Sequence, residues 1–201
     1  MKTYALATAA LAVSAVSAHA VGLDRSARPT GLIFEDGNVL EFSIGGANPS
    51  IDGTDVAAQQ TGNIGESFVI WGAGLRYEIN DKLSFGVIID EPYGADVFYG
   101  ATTPVLTGTA AIVDSNAITA FGRYKFDENW SVHGGLLYQS VSANVTLSGG
   151  AYGMLSGYNA SFANDSSAGF MIGAAYEIPE IALRVALTYH SEIDHDLSTF
   201  E

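Results

Sequence analysis

Apolar and polar residues alternate with a period of two along most of the chain, most regularly between Phe170 and Tyr189. A period of two predicts β-strands, because successive side chains of a strand point to opposite faces. Pro179-Glu180 divides this stretch into two strands joined by a short turn. Aromatic residues near both ends of the apolar face are typical of a wall that crosses a bilayer. The apolar positions are Phe170, Ile172, Ala174, Tyr176 and Ile178, then Ile181, Leu183, Val185, Leu187 and Tyr189.

The same unit of strand, tyrosine, short polar turn and strand occurs twice more, in Leu75–Phe85 and Gly122–Val132. The three corresponding tyrosines, Tyr77, Tyr124 and Tyr176, lie 47 and 52 residues apart along the chain. Each interval holds one hairpin and one longer connection, which places short turns on one side and long loops on the other. Outer-membrane β-barrels are organised in this way.

Seven strands are predicted, and the third is interrupted. A soluble β-sandwich would also alternate, but its polar face would carry more charge, so the pattern favours an all-β, antiparallel transmembrane barrel. The long connections are rich in Gly, Ser, Thr, Asn and Asp, and we expect them to be outer loops. The strands are Asn38–Asn48, Ser67–Ile79, Lys82–Tyr99, Val113–Phe126, Trp130–Leu147 and the two of the hairpin, and the loops are Pro49–Glu66, Gly100–Ile112 and Ser148–Ser167.

The N-terminal region indicates export. Residues 1–20 combine a basic start at Lys2, a short apolar run and the small-residue sequence Ala18-His19-Ala20, which together predict a secretory signal peptide. A net charge of −14 argues against a nucleic-acid partner, and the absence of cysteine removes disulfides and thiolate metal sites. With strands and no spanning helix in the remainder, we expect a multi-pass protein of a bacterial outer membrane.

Residues 21–37 are polar and irregular, and the barrel is predicted to occupy residues 38–201. The segment 21–37 is either a periplasmic tail or a plug inside the barrel. It holds Arg25 and Arg28, two of the eight basic residues of the chain. Its apolar run Leu32-Ile33-Phe34 favours a packed plug over a dangling tail.

The third strand is interrupted at Asp90–Asp96. Pro92 cannot donate a hydrogen bond to a neighbouring strand, so the sheet must bulge or break there. Gly94 permits unusual backbone dihedrals beside it. A break in a barrel wall opens a gap between strands, whereas the alternative is that the strand simply ends and a loop begins.

Two sets of residues are candidates for binding a hydrophobic ligand with an acidic group. Arg76, Arg123 and Arg184 face inward by alternation, and arginine binds carboxylates strongly where water is scarce. The alternative is that they pair with the inward acids Glu78, Glu177 or Asp90. The third loop combines glycine with Tyr152, Met154, Leu155 and Tyr158. These apolar side chains suit a hydrophobic ligand, and the alternative is that they pack only within the loop.

The chain resembles the FadL-like long-chain fatty acid transporter family of outer-membrane proteins, in particular its alphaproteobacterial members. The resemblance is carried by the segment Asp24–Gly37, the repeated Tyr-Glu-Ile-Asn-Asp-Lys-Leu-Ser-Phe-Gly unit, the break at Glu91-Pro92-Tyr93-Gly94 and the stretch Ala175–His195. It implies a fourteen-stranded barrel, of which these seven strands are about the N-terminal half, plugged by an N-terminal hatch. It further implies capture of hydrophobic compounds by outer loops and lateral release through the kinked third strand.

The resemblance also assigns roles to residues of this chain. The hatch spans Asp24 to Gly37 and includes Asp24, Arg25, Ser26 and Arg28. The lateral gate is Glu91, Pro92, Tyr93 and Gly94, and the capture loop holds Tyr152, Met154, Leu155 and Tyr158. The implied partners are a hydrophobic small molecule such as a fatty acid and outer-membrane lipid, while the particular substrate and the oligomeric state stay open.

Two further functions are open alternatives. A lipid-hydrolysing barrel would use serine, histidine and an acid, and His133, His190 and several serines are present without a nucleophile motif. A purely structural barrel would hold no ligand. The sequence His190–Asp196 has ligand types that suit zinc or calcium, but alternation divides them between two faces, so we predict neither a metal site nor a cofactor.

Overall fold

The protein is a curled antiparallel sheet. The computed structural model describes residues 23–26 and 30–201, so the predicted signal peptide 1–20 and Arg28 lie outside the described residues. Strands make up 60% of the structure, and the sheet curls into a half-barrel of seven strands, which confirms the predicted all-β antiparallel fold. The strands are β1 Val39–Ala47, β2 Phe68–Asn80, β3 Leu83–Asp90, β4 Gly94–Phe98, β5 Ala110–Lys125, β6 Trp130–Leu147, β7 Tyr158–Ile178, β8 Leu183–His190 and β9 Thr199–Phe200.

The strands follow one another around the sheet in the order β1-β2-β3-β5-β6-β7-β8. β4 continues the third strand beyond an interruption and pairs with β5, and the two-residue β9 pairs with β7. Short turns join the strands at one end of the sheet, and the long connections lie at the other end. None of the helices among the described residues is both long and apolar enough to cross a membrane.

The two faces of the sheet are inverted relative to a water-soluble protein. The convex face exposes large apolar side chains, with Leu40 at 82%, Leu187 at 75% and Leu136 at 71% exposed. Polar side chains such as Ser84 and His133 are buried on the concave face. An apolar outer face and a polar inner face suit contact with lipid outside and a lumen inside. The alternation therefore predicted the outward residues correctly.

The N-terminal segment packs against the concave face through a short 3₁₀ helix, Gly31–Phe34. Its Leu32, Ile33 and Phe34 are buried among side chains of β3, β5, β6 and β7. Gly74 of β2 makes room for this packing, because a Cβ atom there would overlap the Leu32 side chain. The apolar cluster comprises Leu32, Ile33, Phe34, Ile88, Phe121, Leu137, Met171 and Ala175.

Some predicted boundaries were wrong. The third loop does not extend over Ser148–Ser167, because β7 already begins at Tyr158. The polar residues 158–167 are held in the sheet by their neighbour β6, with Asn144 Nδ2 donating to Ser161 Oγ at 2.8 Å. Pairing with β6 here outweighs the low strand propensity of Asn159, Asn164 and Asp165. Similarly, β5 begins three residues earlier than expected, at Ala110, and Ile181 belongs to the turn before β8.

Candidate functional site

The third strand is interrupted but not ended. β3 stops at Asp90, opposite Ala117, and β4 resumes at Gly94, opposite Asp114 of the same neighbour β5. Three residues on one strand therefore face two on the other, which is a bulge. The predicted interruption is confirmed, and the alternative in which a loop begins at this point is wrong.

The bulge leaves a gap in the wall between β2 and β4. β2 pairs with β3 only as far as Ala73, and within the part of the chain that the structure describes residues 68–72 have no strand partner on that side. β4 instead turns its free edge to the first outer loop, where Glu66 N donates to Asp96 O at 3.0 Å. Beside the gap, Trp71 N donates to the Glu91 side chain at 3.4 Å.

The N-terminal segment covers this gap as a very short added strand. Arg25 N donates to Pro92 O at 2.9 Å, and Gly94 N donates to Leu23 O at 2.7 Å. Between them, Asp24 lies opposite Tyr93 in an antiparallel bridge. The N-terminal residues thus satisfy Pro92 O and Gly94 N, while the Ser115 hydroxyl of β5 accepts from Tyr93 N at 2.8 Å and donates to Tyr93 O at 2.7 Å.

Two side chains fasten the added strand. The Arg25 guanidinium lies 4.4 Å from the centre of the Phe68 ring and 3.8 Å from Asp114 Oδ1, and its side chain is only 8% exposed. It crosses directly over Gly94, where a Cβ atom would overlap it, so the close approach requires glycine. The Ser26 hydroxyl donates to Asp90 Oδ2 at the end of β3.

A cavity of about 320 Å³ lies behind the gap, between the N-terminal segment and strands β1 to β3. Its walls are largely aliphatic and aromatic, with a few charged or hydroxyl groups, which is the composition of sites for small hydrophobic ligands. The lining residues are Arg25, Ser26, Glu41, Ser43, Ile44, Gly45, Ile70, Trp71, Gly72, Ala73, Ile88, Ile89 and Asp90.

The three inward arginines lie at the short-turn end of the lumen, and each is engaged with an acid. Arg76 pairs with Glu78 at 3.2 Å, while Arg123 and Arg184 both pair with Glu177. The sequence left open that these arginines pair with the inward acids Glu78, Glu177 or Asp90. The structure shows such pairs with Glu78 and Glu177. Asp90 is engaged by Ser26 instead. The arginines also contact the N-terminal segment, which alternation along the strands could not reveal.

The residues of the third outer loop take different positions. Met154 and Leu155 are exposed on a 3₁₀ segment, Gly150–Leu155, whereas Tyr152 is half-buried. Tyr158 is the first residue of β7, and its hydroxyl is hydrogen-bonded to Glu201. The loop is tied to its neighbour by a bond of 2.7 Å from Ala151 N to Val105 O.

The first and second outer loops are joined at Asp55. The Thr103 hydroxyl donates to Asp55 Oδ2 at 2.6 Å, and the amides of Ala57 and Gln59 donate to Oδ1. These donors, Thr103 first, lower the pKa of the Asp55 carboxyl below its ordinary value. The outer loops therefore form one hydrogen-bonded layer over the open end of the half-barrel.

The histidines considered for metal or hydrolase chemistry have other partners. His195 Nδ1 lies 3.0 Å from Asp165 Oδ2, and His133 Nε2 lies 2.8 Å from the Thr188 hydroxyl. Over residues 23–26 and 30–201, no group of three or more His, Cys, Asp or Glu side chains is placed to hold one metal ion.

A half-barrel with an apolar exterior and a concave face covered in part by its own N-terminal segment has the architecture of an outer-membrane β-barrel. The sequence matches the family described as outer membrane protein transport protein (OMPP1/FadL/TodX) over residues 6–199, and the chain belongs to that family. The family consists of transporters rather than enzymes, and its members are β-barrels of the outer membrane.

A solved structure supports the fold. The chain is similar to a Pseudomonas aeruginosa FadL homologue, with 16% sequence identity and a TM-score of 0.57 over 81% of this chain. The chain spans 45% of the length of that homologue. No curated protein matches the sequence significantly.

Proposed function

We propose that the protein takes up long-chain fatty acids or similar hydrophobic compounds across the outer membrane and releases them sideways through the third strand. In this proposal the N-terminal segment is the hatch, and Glu91, Pro92, Tyr93 and Gly94 form the lateral gate. The observation that carries the proposal is the gap between β2 and β4, which the chain covers with residues 23–26.

The position of the cavity supports a sideways route. It lies beside the covered gap and is lined both by inward residues such as Ser43 and by outward residues such as Ile44 and Trp71, so it lies on a path between the lumen and the outside of the wall. A hydrophobic compound gains free energy by passing from such a cavity into lipid without crossing water. Backbone groups facing lipid must otherwise stay paired, which explains why the resting wall is sealed by an added strand.

Capture is assigned to the outer loops. Met154 and Leu155 present apolar side chains to solvent above the half-barrel, and methionine adapts to ligands of varied shape. Tyr152 and Tyr158 flank them with partly buried rings. Flexible apolar groups at the entrance would collect a hydrophobic compound before it enters the lumen.

Deletion of Pro92 tests the release route. It removes the extra residue of the bulge and restores a two-against-two register, so β4 should continue β3 and pair with β2. In cells that express the protein from its own gene, we expect uptake of radiolabelled fatty acid to be lost while the barrel still assembles.

Deletion of Asn164 is the matched control. It removes a residue from a second irregularity, between β6 and β7, where the two strands remain paired with each other before and after the extra residue. We expect this variant to retain uptake. Uptake that survives deletion of Pro92 would show that the compound leaves elsewhere.

A further inference from the structure

We infer that residues Gly31–Gly37 form a fixed floor at the short-turn end of the lumen, held by an arginine clamp, and that residues 23–26 move during transport while this floor stays in place. The inference rests on the proposed function and assigns the three inward arginines to the hatch. The arginine clamp is defined as Arg123, Arg184 and Glu177 around the Phe34 ring.

Phe34 is held on several sides. The guanidinium carbons of Arg123 and Arg184 lie 4.9 and 4.8 Å from the centre of its ring, and the His133 ring meets it edge-on at 5.2 Å. The ring is 5% exposed. Cations above an aromatic ring are attracted by its electron-rich face, and the attraction is stronger where water is excluded.

Glu177 makes this arrangement possible. Two guanidinium groups around one buried ring would repel each other, but Glu177 accepts from both Arg123 and Arg184, the latter at 2.8 Å. The positions of the cations are fixed further: Arg123 Nε donates to Ser131 Oγ at 3.1 Å, and Arg184 Nη2 donates to Phe34 O at 3.3 Å. The clamp therefore grips both the ring and the backbone of Phe34.

The residues that follow Phe34 are tied to the wall as well. Lys125 Nζ lies 3.2 Å from Asp36 Oδ1. Gly37 donates its N–H to Glu78 Oε2 at 3.0 Å and accepts a hydrogen bond at its carbonyl oxygen from Arg76. Charged side chains of β2, β5 and β8 thus contact Phe34, Asp36 and Gly37, and all of these contacts would have to break for this part to leave.

A fixed floor has a consequence for the direction of transport. With Gly31–Gly37 in place, the short-turn end stays closed to ions and water-soluble compounds while a hydrophobic compound passes. The compound must then leave where the segment is attached more weakly, over the gap at Pro92.

Two pairs of introduced cysteines test the inference. These 201 residues contain no native cysteine, so within them a thiol reagent reacts only with the introduced side chains. The floor pair is Asp36→Cys with Lys125→Cys, and the gate pair is Ser26→Cys with Asp90→Cys. Each pair is closed in intact cells with a short bismaleimide, and uptake of radiolabelled fatty acid is measured before and after closure. We expect closure of the floor pair to leave uptake unchanged and closure of the gate pair to abolish it.

The outcomes separate the two proposals. Loss of uptake on closing the floor pair, or failure of that pair to crosslink, would overturn the fixed floor. If both closed pairs transport, the floor is supported and the release route proposed above is contradicted. Each single cysteine variant treated with the same reagent controls for modification alone.

Discussion

The N-terminal segment touches the wall in two places that are built differently. At the short-turn end, charged side chains from three strands contact Phe34, Asp36 and Gly37. Over the gap, Leu23 to Ser26 are held by two backbone hydrogen bonds, the Ser26 hydroxyl and Arg25. On our proposals, this difference lets one chain segment combine a seal that stays in place with a cover that moves, because more charged contacts hold the segment at the short-turn end than over the gap.

Replacement of Phe34 by alanine should cause the largest loss of stability, because it acts on the attachment at the short-turn end. It removes a buried ring and three ring contacts, and we expect a loss of about 4 kcal/mol in the free energy of unfolding. The measurement is thermal or denaturant unfolding of the purified protein in detergent, with hydrophilic dye permeability of cells as a second readout. Phe126→Ala is the control, because Phe126 lies at the same end but is 55% exposed on the outer face. Equal losses in both variants would contradict the clamp.

Glu177→Gln should have the next largest effect. The change leaves Arg123 buried without its anionic partner, and breaking one side of a buried ion pair costs about 3 kcal/mol. We expect a lower unfolding temperature together with increased leakage of hydrophilic dye. Glu180→Gln, on the neighbouring turn, is the matched control for loss of one acid. If the variant unfolds at the same temperature as the parent protein and leaks no more dye, Glu177 does not hold the arginine clamp together.

Gly94→Ala should weaken only the attachment of Leu23 to Ser26 over the gap. The new methyl group would overlap Arg25 and displace it from Phe68 and Asp114, which costs about 1 kcal/mol for the cation–π contact. We expect faster proteolysis near Arg25, with unchanged protection of the residues around Phe34. Gly100→Ala, where a Cβ atom meets open space, is the control. Exposure of both attachments together would show that the segment moves as one unit.

Acidification should produce the smallest effect and only at the outer loops. The pKa of Asp55 is lowered on folding, so its contribution to the contact between the first two loops is present above the ordinary carboxyl pKa of 3.8 and is lost as pH falls through the lower folded value. We expect proteolysis of the first loop to increase as the pH falls below 3.8 and through the lower pKa of the folded protein. Asp55→Asn should remove this pH dependence, whereas Asp52→Asn in the same loop should keep it. An identical pH response in the two variants would contradict the assignment.

The sequence predicted the features that depend on local period. Alternation placed Leu40, Leu136 and Leu187 outside and Arg76 and Arg123 inside, because the direction of a strand side chain follows from its neighbours in sequence. The break at Pro92 was also local, since proline lacks the backbone donor.

Contacts between distant residues could not be predicted in this way. No pattern near Gly94 indicates that Arg25 crosses over it, or that Phe34 lies between Arg123 and Arg184. The strand over residues 158–167 was missed for the same reason, because its partner β6 and not its own composition holds it in the sheet. The arginines were located correctly, but their contacts with the N-terminal segment come from the tertiary fold.

Hydrogen–deuterium exchange of the protein in lipid nanodiscs, with and without a long-chain fatty acid, tests the central claim most directly. The amides of Arg25 and Gly94 report the cover over the gap, and those of Ile33 and Gly37 report the floor. The account predicts that the fatty acid accelerates exchange in peptides containing Arg25 or Gly94 and leaves the peptide containing Ile33 and Gly37 unchanged. Acceleration in the floor peptide, or no change at the gap, would contradict it.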